Sequence, residues 1–148
     1  MVLVVVGNGP DLPGMQERCR KQVDAGKMVL VGSAMSPERY YRAADCFLFT
    51  SYHEPFGLVI LEAVAAGLPI FAFPVTRGGG AVALLDEFSA TMFDDGMDDG
   101  RVREMLAGFA SGRVDAAAAR KRAEERYAWS SVSREVVEVY DLVARKVS

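Results

Sequence analysis

Short runs of β-branched and aromatic residues alternate along this chain with segments of helix length. The runs are VLVVV at 2–6, MVLV at 28–31, CFLFTS at 46–51, PIFAF at 69–73 and a weaker ATMF at 90–93. Each is apolar at successive positions rather than at every second one, as in strands of a parallel sheet covered by helices on both faces. Regular alternation of strand and helix predicts an α/β fold, an open, doubly wound parallel sheet of about five strands flanked by helices.

The intervening segments differ in character. Residues 16–25 are polar and amphipathic, whereas 37–44 follow Ser36 as a cap and carry Pro37 at the first helical position. Residues 57–66 are apolar nearly all round, so this helix is expected to be covered on both sides. From Arg101 onward the composition shifts to alanine and charge. Asp115 is expected to cap a helix running through Arg126. Ser130 or Ser131 is expected to cap a last one over 132–146, where Val136, Val139, Tyr140 and Val143 form an apolar stripe. Segments 92–101 and 110–115 read as surface loops, and no internal repeat is visible.

Composition narrows the class. A chain of 148 residues is one domain of ordinary size, able to bury about 70% of the surface its unfolded form exposes. With 51% hydrophobic and 25% charged residues it is a compact globular chain rather than a disordered one. A net charge of −3 and a pI near 5.2 argue against a nucleic-acid partner, which calls for a cationic footprint. Any phosphate must therefore be held locally. Cys19 and Cys46 lack the spacing of a zinc site and the density of a disulfide scaffold, and read as reduced core thiols. The start of the chain has no basic region ahead of its short apolar run, unlike a secretory signal. The apolar stretch 56–73 is broken near its middle by Glu62, Gly67 and Pro69, so it reads as a buried helix and a buried strand rather than a membrane span. A cytoplasmic protein is expected.

The candidate chemistry lies in that stretch. Its one ionisable side chain is Glu62, and Glu54 stands just outside it. Carboxylates are rarely placed in apolar surroundings without a partner. Ser51, Tyr52, His53, Glu54, Pro55, Phe56 and Gly57 lead from the carboxyl end of the third strand into a helix N-terminus, the edge at which open α/β sheets bind ligands. Amides of Phe56, Gly57, Leu58 and Val59, with the helix dipole behind them, would make an anion site without a basic residue. Gly57, lacking a Cβ, lets the backbone approach a phosphate closely. Glu54 is then placed to accept hydrogen bonds from hydroxyls of the group attached to that phosphate, and Glu62 from a second diol such as a ribose. Two carboxylates bracketing a phosphate point to a nucleotide sugar. The plainer alternatives stay open on spacing alone: Glu62 satisfied by a backbone amide or an arginine, Glu54 a simple acid favoured near a helix N-terminus. His53 has no nucleophile or metal partner in view, and Gly7-Asn8-Gly9 is too short for a dinucleotide fingerprint.

Glu54-Pro55-Phe56-Gly57-Leu58-Val59-Ile60-Leu61-Glu62, then Ala63 and Gly67-Leu68-Pro69-Ile70, resembles the E-x7-E signature of the retaining GT-B glycosyltransferases of family 4. Val4-Val5-Val6-Gly7-Asn8-Gly9-Pro10 is similar to that family's strand and glycine turn, and Val29-Leu30-Val31-Gly32 to its second strand. Tyr40-Tyr41-Arg42-Ala43-Ala44-Asp45 resembles its tyrosine-alanine-aspartate helix end. Tyr127-Ala128-Trp129 resembles the aromatic pair before its last helix. The resemblance covers nearly all the chain, and implies the Rossmann-like, donor-binding half of a GT-B enzyme, with residues 1–148 as one nucleotide-sugar domain.

It also implies roles. Glu54 would be the catalytic acidic residue near the donor sugar hydroxyls and reacting phosphate. Phe56, Gly57 and Leu58 would give main-chain contacts to sugar and diphosphate, and Glu62 would hold the ribose hydroxyls. Gly7 lies in the glycine turn, and Gly32 and Ser33 match the strand end where the nucleobase is held. No metal and no cofactor beyond the nucleoside-diphosphate sugar itself are implied. The chain departs from the pattern in two places. The strand-helix unit with an arginine and a lysine that clamp the diphosphate precedes the strand equivalent to 2–6, where this chain begins, and the amino-terminal acceptor domain is missing with it. At Arg77-Gly78-Gly79-Gly80-Ala81-Val82 the glycines survive, so Gly79 is expected in a loop near the sugar or phosphate, but the family's proline and glutamate are replaced. Arg77 is a local substitute for the missing clamp, or else a solvated loop charge.

The expected function is the donor-binding part of a sugar transferase in polysaccharide biosynthesis, acting on a glycan or lipid-linked acceptor supplied by a domain or subunit outside this chain, with the full enzyme peripheral to a membrane. Alone, the chain is expected to be inactive and prone to self-association. The alternative is a stand-alone nucleotide-sugar binding or partner module without transfer activity.

Overall fold

The computed structural model describes residues 1–74, 79–94, 96, 98–109 and 116–147. Arg77, Asp115 and the segment read as a loop at 110–115 lie outside the described residues. The chain divides into two compact units, Met1–Ala43 and Ala44–Ser148.

In the first unit, β1 (Leu3–Val6) pairs in parallel with β2 (Met28–Gly32). The register runs Leu3 to Met28, Val4 to Val29 and Val5 to Leu30, then slips by one so that Val6 faces Gly32. Between the strands the expected single helix is two: α1 (Leu12–Arg18), with Pro13 in its first turn, and α2 (Arg20–Asp24). They break at Cys19, whose backbone sits at φ −98° and ψ 11°. The unit ends with α3 (Glu38–Ala43), where Tyr40 N–H donates to the Pro37 carbonyl at 2.9 Å. Burial departs from expectation here. Leu3, Val4, Val6 and Val29 stay exposed, and α1, α2 and α3 contain no buried residue. An apolar run shows that a strand favours burial; it does not show that the chain supplies the cover.

The second unit holds the core. β3 (Phe47–Phe49), β4 (Ile70–Ala72) and β5 (Thr91–Met92) lie side by side in that order, all parallel. Phe47 faces Ile70, Phe49 faces Ala72, and Ala72 faces Met92. The central strand is buried on both faces. Ile70 and Ala72 join Phe49, Ile60, Val64, Ala81, Leu84, Leu85 and Phe88 in one cluster, while Phe71 stacks on Phe93 with ring centroids 5.7 Å apart. Crossovers α4 (Leu58–Ala65) and α5 (Gly79–Glu87) connect the strands.

Three further helices follow: α6 (Asp99–Phe109), α7 (Ala116–Tyr127) and α8 (Trp129–Val147). α6 occupies part of the stretch read as a loop. Asp98 starts it, its carboxylate accepting the Arg101 N–H at 2.9 Å. α7 packs on α4, and its buried Ala119 and Ala123 join the core cluster with half-buried Tyr127 packed against it, a stripe at four-residue spacing. α8 begins earlier than expected. Ser130 and Ser131 lie inside it rather than capping it, since Ser131 and Val132 already donate to the Ala128 carbonyl. Its apolar stripe of Val136, Val139, Tyr140 and Val143 is exposed. No helix among the described residues is long and apolar enough to cross a membrane. Cys19 and Cys46 are free thiols, half-buried rather than in the core.

Candidate functional site

The turn from β3 into α4 is built around one glycine. Gly57 precedes α4 in the left-handed region at φ 91° and ψ 52°, where an L side chain is strained. A Cβ there would also come within 2.8 Å of Ile60 Cδ1 and 3.5 Å of Ala81 Cβ. Its N–H donates to Glu54 Oε1 at 3.1 Å, and its carbonyl accepts the Ile60 N–H at 2.9 Å. Glu54 thus closes the turn with its own carboxylate beside the positive end of the helix dipole. The next two amides, of Leu58 and Val59, have no acceptor within the helix, as at any helix start. Phe56, Leu58 and Val59 are 44%, 65% and 37% exposed, so this end of α4 lies open.

A second helix start abuts the first. Gly79 and Gly80 are the opening residues of α5, not part of a loop. A Cβ on Gly80 would stand 2.6 Å from the Pro55 carbonyl oxygen and 3.1 Å from Phe56 Cα. Only a glycine lets the α5 backbone lie against the Pro55–Phe56 turn at this distance. Gly79, one residue earlier, has nothing within 4 Å of where its Cβ would be. Of Gly79 and Gly80, the packing role falls on Gly80, which the sequence did not single out.

Glu62 lies four residues beyond Leu58 on the same face of α4, about 6 Å further along the axis. It is exposed, as is Ala65, while Ile60, Ala63 and Val64 are buried. The expectation of a helix covered on both sides is thereby corrected. α4 has an open face bearing Leu58, Val59, Glu62 and Ala65, so Glu62 stands at the protein surface instead of in an apolar interior. Glu54, Phe56, Gly57, Leu58, Val59, Glu62 and Gly79 all belong to the second unit. Gly7, Gly32 and Ser33 belong to the first, where Gly7 N–H donates to the Gly32 carbonyl at 2.8 Å and Ser33 is exposed. The shared bond brings the ends of β1 and β2 together at two glycines with φ 149° and 76°. Arg77 lies outside the described residues.

Behind Phe56 stands Tyr127, the last residue of α7. The two rings meet edge to face with centroids 6.5 Å apart. The Tyr127 hydroxyl donates to Glu87 Oε2 at 2.6 Å, while Arg126 approaches Glu87 Oε1 at 3.3 Å and lies 5.5 Å from the centre of the Tyr127 ring. Burial, then the hydrogen bond and charge of Glu87, raise the phenol above the ordinary tyrosine range, against a smaller lowering by Arg126. Burial followed by the charge of Asp45 likewise raises the Cys46 thiol, which keeps it protonated and a poor nucleophile. Glu87 had no signal in the sequence; it sits in an ordinary helix end and matters through what lies across from it. A recess of about 200 Å³ lies along α5 and β5, lined by Pro74, Val82, Leu85, Asp86 and Met92, none of them from the 54–62 segment. Among the described residues no cluster of His, Cys, Asp or Glu could hold a metal ion.

Residues 1–106 match the family model described as glycosyl transferases group 1. The chain is 31% identical over 140 residues to a D-inositol 3-phosphate glycosyltransferase of Corynebacterium urealyticum, an alignment covering 90% of this chain and 32% of that protein. It is 33% identical over 151 residues to a D-inositol 3-phosphate glycosyltransferase of Catenulispora acidiphila, covering 95% and 34%. The chain therefore spans about a third of the length of these curated relatives. Among solved structures, WaaG, a glycosyltransferase involved in lipopolysaccharide biosynthesis, superposes with a TM-score of 0.68 at 24% identity, over 90% of this chain and 36% of WaaG. Anabaena HepE, solved with UDP and glucose, gives 0.71 at 21% identity, over 95% and 40%. The fold is the Rossmann-like α/β unit of GT-B proteins.

Proposed function

The chain belongs to the group 1 glycosyl transferases, and from that premise we propose that it is the donor-binding domain of a retaining enzyme that transfers a sugar from a nucleoside diphosphate. The observation that carries this reading is the meeting of two helix starts at one turn, α4 behind Gly57 and the first turn of α5 touching it at Gly80, with Glu54 on the turn and Glu62 on the open face of α4. The Leu58 and Val59 amides would take the diphosphate, which leaves from the anomeric carbon as negative charge develops on its oxygen; amides fixed in advance stabilise that charge. Glu54 would sit beside the donor sugar and Glu62 on the ribose, with Phe56, Gly57 and Gly79 completing the wall by main chain. Gly7, Gly32 and Ser33 would serve the base, and Arg77 the diphosphate. No metal is required in this scheme.

The acceptor side would come from a domain or subunit outside this chain, which is why the 148 residues alone would bind donor weakly and transfer little. Self-association of the isolated chain belongs to the same reading, since exposed apolar faces on β1 and α8 favour cover. Calorimetric titration with UDP-, GDP- and ADP-sugars tests it. One of the three should bind, and Glu62→Gln should lower that affinity about tenfold by losing charged hydrogen bonds to a diol. Unchanged affinity in Glu62→Gln would remove the ribose role.

A further inference from the structure

The aromatic pair Tyr127 and Trp129 splits on folding: Trp129, at the start of α8, is 87% exposed, whereas Tyr127, at the end of α7, is half-buried and bonded. We propose that Tyr127 is a positioning residue for the 54–57 turn: pinned by Glu87, its ring backs Phe56 and so holds the Gly57 amide on the Glu54 carboxylate. Gly57 has no side chain to restrain its own left-handed conformation, so its neighbours must set the turn. Phe56 is the neighbour with something to push against. Its Cα and ring Cδ2 lie 3.1 Å from where a Gly80 Cβ would be, which fixes one side, and the Tyr127 ring stands against another.

Tyr127 can act as a stop because it is itself fixed. Its hydroxyl is bonded to Glu87 at 2.6 Å, its ring lies 6.3 Å from that of Phe88, and Arg126 approaches the second oxygen of the same carboxylate. Glu87 closes the helix that Gly79 opens. α5 therefore reaches the turn twice, directly at Gly80 and through Tyr127 from its far end. Backbone rotation at Phe56, which would carry its ring off the Tyr127 ring, moves the 56–57 peptide that holds the Gly57 N–H. The consequence for ligand rests on the donor reading above: Tyr127 would tune donor affinity without touching donor.

Amide hydrogen exchange of the free 148-residue chain tests the position, and donor titration tests the consequence. Tyr127→Leu should speed exchange at Gly57 about tenfold while interior α4 amides such as Val64 keep their protection, because only the turn is released. Tyr127→Phe keeps the ring but not its anchor and should give about threefold, with Trp129→Ala giving no change. Gly57 exchange within about twofold of wild type in Tyr127→Leu, or an equal rise along all of α4, would overturn the proposal, the latter marking a general loss of stability. Donor affinity should fall in the same order, Tyr127→Leu below Tyr127→Phe; equal affinities would also overturn it. Wild-type chain that binds none of the three nucleotide sugars sinks the donor reading, and the exchange pattern still decides whether Tyr127 sets the turn.

Discussion

Gly57 and Gly80 show how much a missing side chain can specify. Close approach to a phosphate calls for a glycine at position 57, and folding adds a second demand there, a left-handed backbone packed on Ile60 and Ala81. Glu54 was legible as an acid ahead of a helix, though not as the acceptor of the Gly57 N–H. Glu62 is expected amid apolar surroundings because its sequence neighbours are apolar, yet a helix turns, and position 62 falls on the exposed face. Titration offers a check at this scale. Cys46 and Tyr127 are both raised in the folded chain above ordinary values of 9.0 and 10.0, so folding favours their protonated forms. Well below pH 9 both are protonated in either state and contribute a constant amount. As pH rises past 9 and then 10, the unfolded chain loses these protons first and stability falls. Thermal unfolding followed from pH 8 to 11 should show the midpoint decline, and Cys46→Ala should delay its onset. A Cys46→Ala profile identical to wild type would contradict the burial of that thiol.

The β-α-β alternation was visible because it depends on local composition: each strand run matches an observed strand within two residues or so. Helix limits were less visible. The break at Cys19, the start of α6 at Asp98 and the entry of Ser130 and Ser131 into α8 are settled by packing and by which carbonyls are within reach. Nor could glycines 79 and 80 be told apart in sequence, although α5 docks on the signature turn through only one of them. Gly80→Ala should cost about 1–3 kcal/mol, since the Pro55 carbonyl it would strike is main chain and cannot swing away. Gly79→Ala meets open space, and should be neutral or stabilise by about 0.4–1 kcal/mol through the unfolded state. Urea unfolding of the two variants should separate them. Equal midpoints would mean that α5 does not press on the turn as described.

At the scale of the whole molecule, the two units differ in kind. The second has a core built on β4 and closed by α4, α5 and α7, whereas the first leaves much of β1 exposed. α8 likewise carries Val136, Val139, Tyr140 and Val143 in the open. Light scattering of the isolated chain should show association that grows with concentration, and Val139→Lys should weaken it by placing a charge in the stripe. A monodisperse monomer at every concentration would mean that these faces need no cover. Relatives about three times as long share this portion with the chain.

The sequence by itself determined the order and type of the elements, the α/β class, and the placing of one acid before a glycine-led helix and another within it, because all of these are written in the period and chemistry of neighbouring residues. The tertiary structure alone decided that Glu62 faces outward, that Gly80 rather than Gly79 seats α5, and that Tyr127 finds Glu87 forty residues away to stand behind Phe56. Contacts of that kind join residues whose separation along the chain carries no pattern, so they exist only once the helices have packed.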